Sequence, residues 1–482
     1  MFQGFVQVTA LRLMGNPEAE RCLPEVKGLT REAGIALLGR AAEVGLLTAL
    51  GGGYYRIHPA LPWFFHRLFE QYYPETCTAA TRAFVESLGS LATYYHRQYA
   101  EGDRDVVEVL AAEEANLLYA RSLARSHEWW DPVTLTMQGL RALYEHNGRV
   151  AEWSRLVEEV VPDFVDSATE GPLPGKEEGW SLVTAYKAAL ARRARRWEEA
   201  DRSQGLTVDW WRRRVASILA KPPQTWDEQE KNSVRSLAVS LEERAHIQRE
   251  RISAACLEDY REALALYEQI ADTHAAAVCA LNLGLVYALL NDVRDLMLAE
   301  QWCQRSFDLH PAEDRMDRAR CLVQLGNVAH ERFLDARRAG RPLEECVGYL
   351  SSAEKHSKQA LEMFPAGAVQ DLATAHGQLG VIYGAAGQID AALNHYGESI
   401  RHWEGIPHRF ASGSARYNAA LALARAGRFD DARDWAQSAR RDFEACDNAE
   451  QDVVDTLKLL EEIESGLRAT SPPSSAHPPP PH

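Results

Sequence analysis

Asn282, Gln324, Gln378 and Asn418 are primary amides in one recurring context. Each stands directly before a step from a larger to a small residue, or before two small ones: Leu283-Gly284, Leu325-Gly326, Leu379-Gly380 and Ala419-Ala420. A primary amide carries N–H donors and a carbonyl acceptor, as a peptide group does. A row of them can therefore pair with an extended backbone whatever its side chains. Bond-making chemistry has no comparable set. His330-Glu331 lacks the second histidine of a zinc-hydrolase H-E-x-x-H pair, and no nucleophile stands at a base's spacing. The eight cysteines, Cys22, Cys77, Cys256, Cys279, Cys303, Cys321, Cys346 and Cys446, include no C-x-x-C pair. Most lie among apolar neighbours and read as buried small hydrophobes in a reducing compartment. The run GPLPGKEEG at Gly171–Gly179 imitates a phosphate loop, but it is too short between Gly171 and Gly175 and has no Ser or Thr after Lys176. No catalytic residue, metal ligand set or cofactor is expected.

The elements that must carry the amides are helices in a repeat. Leu379-Gly380-x-x-Tyr383 is followed by Gly387, Ala392, Tyr396 and Ser399. This run resembles the tetratricopeptide pattern, which asks for a large and a small residue at positions 7 and 8, an aromatic at 11, and small or aromatic residues at 20, 24 and 27. The same register fits Leu283, Gly284, Tyr287, Ala299, Cys303, Ser306 and Pro311, with a short insertion between the helices. It fits Leu325 and Gly326, resumed at Ala353, Ser357, Ala360 and Pro365 after a longer insertion containing ARRAGRP. Ala419, Ala420, Leu423, Gly427, Ala432, Ala436 and Ala439 make a further unit. Small residues at 8 and 20 let paired helices touch, and large ones at 7, 11 and 24 fill the space between repeats. The resemblance implies a concave groove lined by positions 2, 5, 6 and 9 of each first helix. That puts the four amides at position 6, with Arg320, Asn327 and Tyr417 on the same face, and implies a protein or peptide ligand.

Upstream, Ala263, Tyr267 and Ile270 read as the second helix of a weaker unit whose first helix lies within 232–250. Ala188, Ala191, Trp197 and Ala200 fit another, and Leu140, Tyr144, Gly148 and Trp153 a further one. The paired tryptophans Trp129–Trp130 and Trp210–Trp211 point to different faces and read as core.

Before residue 75 the pattern changes. Thr30 suits an N-cap for a helix through Ile35, Leu38 and Ala41 to Val44, ended by Gly45. Two β-prone runs, from Leu46 to Leu50 and from Tyr54 to Ile57, flank Gly51-Gly52-Gly53 as a hairpin, and a further helix starts near His58-Pro59. Helix, hairpin, helix is the winged-helix order. The run GLLTALGGGYYRIHPALPWF, with the later Leu110-x-x-Glu113-Glu114-x-Asn116-Leu117, is similar to the segments between nucleotide-binding core and tetratricopeptide repeats in STAND-class signalling NTPases, including the NB-ARC type. By that resemblance His58 occupies the place of a histidine that contacts nucleotide phosphates, although Pro59 replaces the acid that follows it there. No NTPase core precedes this module in the sequence, so one would act in cis from upstream or in trans.

The expected class is therefore all-α: a TPR-like helical-repeat superhelix preceded by a small winged-helix module with a short β-hairpin. The expected divisions are 1–75 for that module, 76–130 for a helical linker, 131–270 for degenerate repeats, 271–447 for tetratricopeptide repeats, 448–468 for a capping helix and 469–482 for a disordered Pro-rich tail. Net charge is −16, which disfavours nucleic acid. A basic patch from Lys187 through Arg192, Arg193, Arg195 and Arg196 to Arg202, with Arg212–Arg214 beyond, reads as a solvated face, with a surface for an acidic partner as the alternative. No apolar run reaches membrane-spanning length and no secretory signal opens the chain, so a cytoplasmic protein without membrane contact is expected. The leading functional expectation is a protein-interaction and sensor module of a STAND-like signalling system. The alternatives are a free-standing adaptor or scaffold with no nucleotide link, and a winged-helix transcriptional regulator. Against the last, the Thr30–Val44 helix balances Arg31 and Arg40 with Glu32 and Glu43.

Overall fold

The computed structural model describes all residues except 19–21, 73, 101–102, 407, 447–448 and 471–482, and the backbone alone of residues 70 and 470. From residue 471 on, the expected Pro-rich tail lies outside the described residues. The described chain is mostly helical and divides into two compact units, Met1–Arg213 and a second from Arg214 on.

The first unit opens with strand β1 (Phe5–Gln7), helix α1 (Val8–Met14), helix α2 (Arg31–Glu43) and the strands β2 (Leu47–Gly51) and β3 (Tyr54–Ile57). Thr30 caps α2, its hydroxyl accepting from the Ala33 amide at 3.2 Å. Gly51, Gly52 and Gly53 all take positive φ, which only glycine adopts without strain, and so close the hairpin tightly. The sheet has three strands in the antiparallel order β1-β3-β2, with Phe5 opposite Arg56 and Leu47 opposite Ile57. Sequence reading missed β1, because three residues are too few to display a two-residue period. Val6, Val8, Leu38 and Tyr55 form a small core beneath the sheet. Helix α3 (Leu61–Tyr72) begins slightly later than expected: the Leu61 amide bonds to the His58 carbonyl at 2.9 Å, which holds Pro59 and Ala60 in a turn.

Helices α4 (Pro74–Ala100), α5 (Val106–Ser126), α6 (Trp130–His146), α7 (Val150–Phe164), α8 (Glu177–Arg193) and α9 (Trp197–Leu219) complete this unit, α9 running past its boundary. Their shared core is bulky: Phe84, Met137, Trp153, Phe164, Trp180 and Tyr186 are all buried in it. Trp153 meets Tyr186 edge-on with ring centres 5.0 Å apart. Trp129, Trp130 and Trp210 pack against the same core.

The second unit is a stack of helix pairs: α10 (Glu228–Glu250) with α11 (Cys256–Gln269), α12 (Thr273–Leu289) with α13 (Leu296–Leu309), α14 (Arg315–Arg338) with α15 (Leu343–Met363), α16 (Val369–Ala385) with α17 (Ile389–Glu404), and α18 (Arg409–Arg425) with α19 (Phe429–Glu444). A final helix, α20 (Glu450–Thr470), packs on α19. Aspartates start several of these helices: Asp227 forms a capping box with Glu230, and Asp272, Asp295 and Asp314 cap α12, α13 and α14. Steric room explains the small residues of the repeat. A Cβ on Gly284 would lie 2.5 Å from Cys303 Sγ, and one on Gly380 would lie 2.6 Å from the Tyr396 ring. The insertion containing ARRAGRP is mostly helical, with residues 339–342 as the turn between the two helices. It lengthens both α14 and α15, to 24 and 21 residues, and the added turns bury Phe333, Ala336 and Cys346 in a core of their own. Cys256, Cys279, Cys303, Cys321 and Cys346 are buried, whereas Cys22, Cys77 and Cys446 are only half-buried.

Candidate partner-binding face

All seven residues read as groove-lining lie on four first helices: Asn282 on α12, Arg320, Gln324 and Asn327 on α14, Gln378 on α16, and Tyr417 and Asn418 on α18. These helices touch in succession, α12 with α14, α14 with α16 and α16 with α18, so they form one continuous layer. The amides nevertheless differ in what they meet.

Asn282 is turned back onto the preceding pair. Its Oδ1 accepts from Arg249 Nη1 at 2.6 Å, and its Nδ2 lies 3.2 Å from His246 Nε2, both on α10. Behind that contact Tyr267 donates to Glu242 at 3.0 Å, and burial pushes the Glu242 carboxyl up to about 7. Gln324 is half-buried and accepts from Asn327 Nδ2 at 3.0 Å, one helical turn on. Gln378 is buried, and neither atom of its amide has a hydrogen-bond partner. Its Nε2 would lie 3.0 Å from a Cβ placed on Gly326, so the glycine makes room for it between α14 and α16. Arg320 bridges the same two helices, donating to Asp371 at 2.9 Å and to Asp317 at 2.8 Å. Asn418 is half-buried beside Tyr417, whose phenol is raised by burial.

Sequence reasoning missed the supporting residues Arg249, His246, Asp317 and Asp371. Asp371 stands as far before Leu379 on α16 as Asp317 stands before Leu325 on α14, so an acid recurring at one repeat position, with Arg320 between the two, was the available signal. His58, in the first unit, is exposed, and its Nδ1 accepts from the Ala60 amide at 3.3 Å. Among the described residues no helix is long and apolar enough to cross a membrane.

Several solved structures are similar to this chain. A Rap protein complexed with Competence and Sporulation Factor is 13% identical, with 80% of this chain and 100% of that chain covered and a TM-score of 0.42. A STAND protein with a tetratricopeptide repeat sensor from Pyrococcus horikoshii is 12% identical, with 88% and 60% covered and a TM-score of 0.45. The TPR2AB domain of yeast Sti1 in complex with pHSP90 is 12% identical, with 60% and 99% covered and a TM-score of 0.21. No curated protein matches the sequence. Over residues 371–445, which hold most of α16, all of α17 to α19 and the amides Gln378 and Asn418, the chain matches the tetratricopeptide repeat family.

Proposed function

We propose that this protein is a protein-interaction module whose second unit captures an extended peptide segment of a partner along α12, α14, α16 and α18. What carries the reading is that Asn282, Gln324, Gln378 and Asn418, with Arg320, Asn327 and Tyr417, all fall on four successive helices that touch one another. Tetratricopeptide repeats are a scaffold for such recognition, and amides suit a ligand read mainly through its backbone. Arg320 and Tyr417 would add side-chain selectivity. The test is to pan the full chain against a random linear peptide library and titrate the enriched peptides calorimetrically. Replacing Asn282 and Asn418 together by Ala is expected to abolish binding while lowering the melting temperature by only a few degrees. Unchanged affinity in the double variant overturns the reading.

The finer proposal is that the module is the sensor part of a STAND-like signalling system, acting in the cytoplasm with an NTPase core in cis or in trans. Its support is in the first unit. The order β1, α1, α2, β2, β3 suits a winged helix, and the helix that follows the hairpin leaves Trp63 71% exposed, with Phe64, Phe65 and Tyr72 also exposed. Large exposed aromatics in one helix suit a docking surface. In this reading His58 senses the core's nucleotide. A free-standing adaptor would need neither His58 nor the exposed aromatics of α3.

A further inference from the structure

Four side chains other than the amides converge where α12, α13 and α14 meet. His274 is the second residue of α12, His310 follows the last residue of α13, Asp314 caps α14, and Asp317 lies in its first turn. One ligand atom from each lies within 4.8 Å of all the others. His310 Nδ1 is 3.2 Å from Asp314 Oδ2, and His274 Nδ1 is 3.8 Å from Asp314 Oδ2 and 3.9 Å from Asp317 Oδ2. Tetrahedral zinc with nitrogen and oxygen ligands at its usual bond lengths sets neighbouring ligand atoms about 3.3 Å apart.

Two further features point to a ligand rather than a chance gathering of charge. His310 is 2% exposed, and its buried Nδ1, aimed at this cluster, makes no aligned hydrogen bond with any protein group. The two carboxylates, moreover, divide their oxygens. Asp314 Oδ1 accepts from the Asp317 amide at 3.3 Å, and Asp317 Oδ1 accepts from Arg320 Nη1 at 2.8 Å. Each Oδ2 faces the imidazoles. Arg318 donates to the His310 carbonyl at 3.0 Å and steadies the turn between α13 and α14. Outer contacts of this kind orient ligands in metal sites.

We propose that His274, His310, Asp314 and Asp317 bind a divalent transition cation of the zinc type. Two imidazoles and two carboxylates suit such a borderline cation better than the hard Mg2+ or Ca2+, which favour oxygen alone. Bound there, the cation clips three helices from two adjoining pairs. Through Asp317 it also bears on Arg320, and so on the bridge to Asp371.

The competing arrangement is a protonated histidine between two aspartates, with no metal. Calorimetric titration of the full chain with ZnCl2, alongside thermal melts with and without chelator, separates the two. The expected result is one Zn2+ bound per chain and a higher melting temperature with Zn2+ but not with Mg2+. Asp314→Asn keeps a helix cap while removing the anionic ligand, and His274→Gln changes an exposed side chain. Together they should weaken Zn2+ binding at least about tenfold, with the melting temperature in chelator unchanged. Equal Zn2+ affinity in the double variant, or no Zn2+-dependent melting shift in the wild type, overturns the proposal. So does a Mg2+ effect as large as that of Zn2+.

Discussion

The two units pack helices in opposite ways. In the first, large side chains dominate the core: Trp153, Trp180, Tyr186, Phe84 and Phe164 are nearly or fully buried. In the second, alanine, glycine, serine and cysteine line the seams, as with Ala299, Cys303, Ala353, Ser357, Ala392 and Ala419, all buried. A bulky core tolerates irregular spacing, because Trp or Phe in different rotamers can span different gaps. A small-residue seam demands close approach at fixed positions, so it imposes a strict register on the chain. Repetition is therefore most visible where such seams recur.

The largest effect should come from hollowing the bulky core. Trp180→Ala removes a fully buried indole that packs against Trp210 and donates to the Glu170 carbonyl at 2.9 Å. A loss of about 3–5 kcal/mol is expected. Hydrogen exchange should rise first in α4 to α8, and protection lost evenly over both units would break the contrast. The reverse change suits the second unit, where adding bulk is the injury. Gly380→Val would press a branched side chain into the Tyr396 ring and should cost about 1–3 kcal/mol. If that variant melts like the wild type, the close seam is not what holds α16 to α17.

The smallest effect is acidic weakening of the same seam. His376 and His395 approach with their Nδ1 atoms 3.0 Å apart, and His402 stacks on His376. Burial, with the neighbouring His395, His402 and Arg401 charges and against the pull of Glu398, lowers His376 from 6.5 to about 4. The unfolded chain then takes up this proton first as pH falls. The stabilisation is thus complete above pH 6.5 and is lost as pH drops toward 4. Melting temperature followed from pH 7 to 4 should decline less steeply in His376→Gln. An identical decline in both proteins would remove His376 from the account.

The pairs from α12 to α19 were legible because Leu-Gly, Tyr, Ala and Ser recur at helical spacings, the small ones meeting a steric need within their own pair and the large ones reaching neighbouring pairs. The placement of Arg320, Gln324 and Gln378 on first helices followed from the same register. Partners did not, because Arg249 and His246 reach Asn282 from a different helix pair. Short elements escaped as well: β1 is defined by pairing with β3, not by any pattern of its own.

Residue periodicity is a local quantity, reporting which side chains share a face over a few turns. It was enough to set the helix pairs, their tight seams and the row of amides on the first helices. Two outcomes needed the folded chain. The insertion around ARRAGRP became extra helical turns on either side of a short turn because Phe333, Ala336 and Cys346 could bury one another across the lengthened pair. The meeting of His274 with His310, Asp314 and Asp317 came from the stacking of one pair on the next. No spacing along the sequence measures that distance; only packing does.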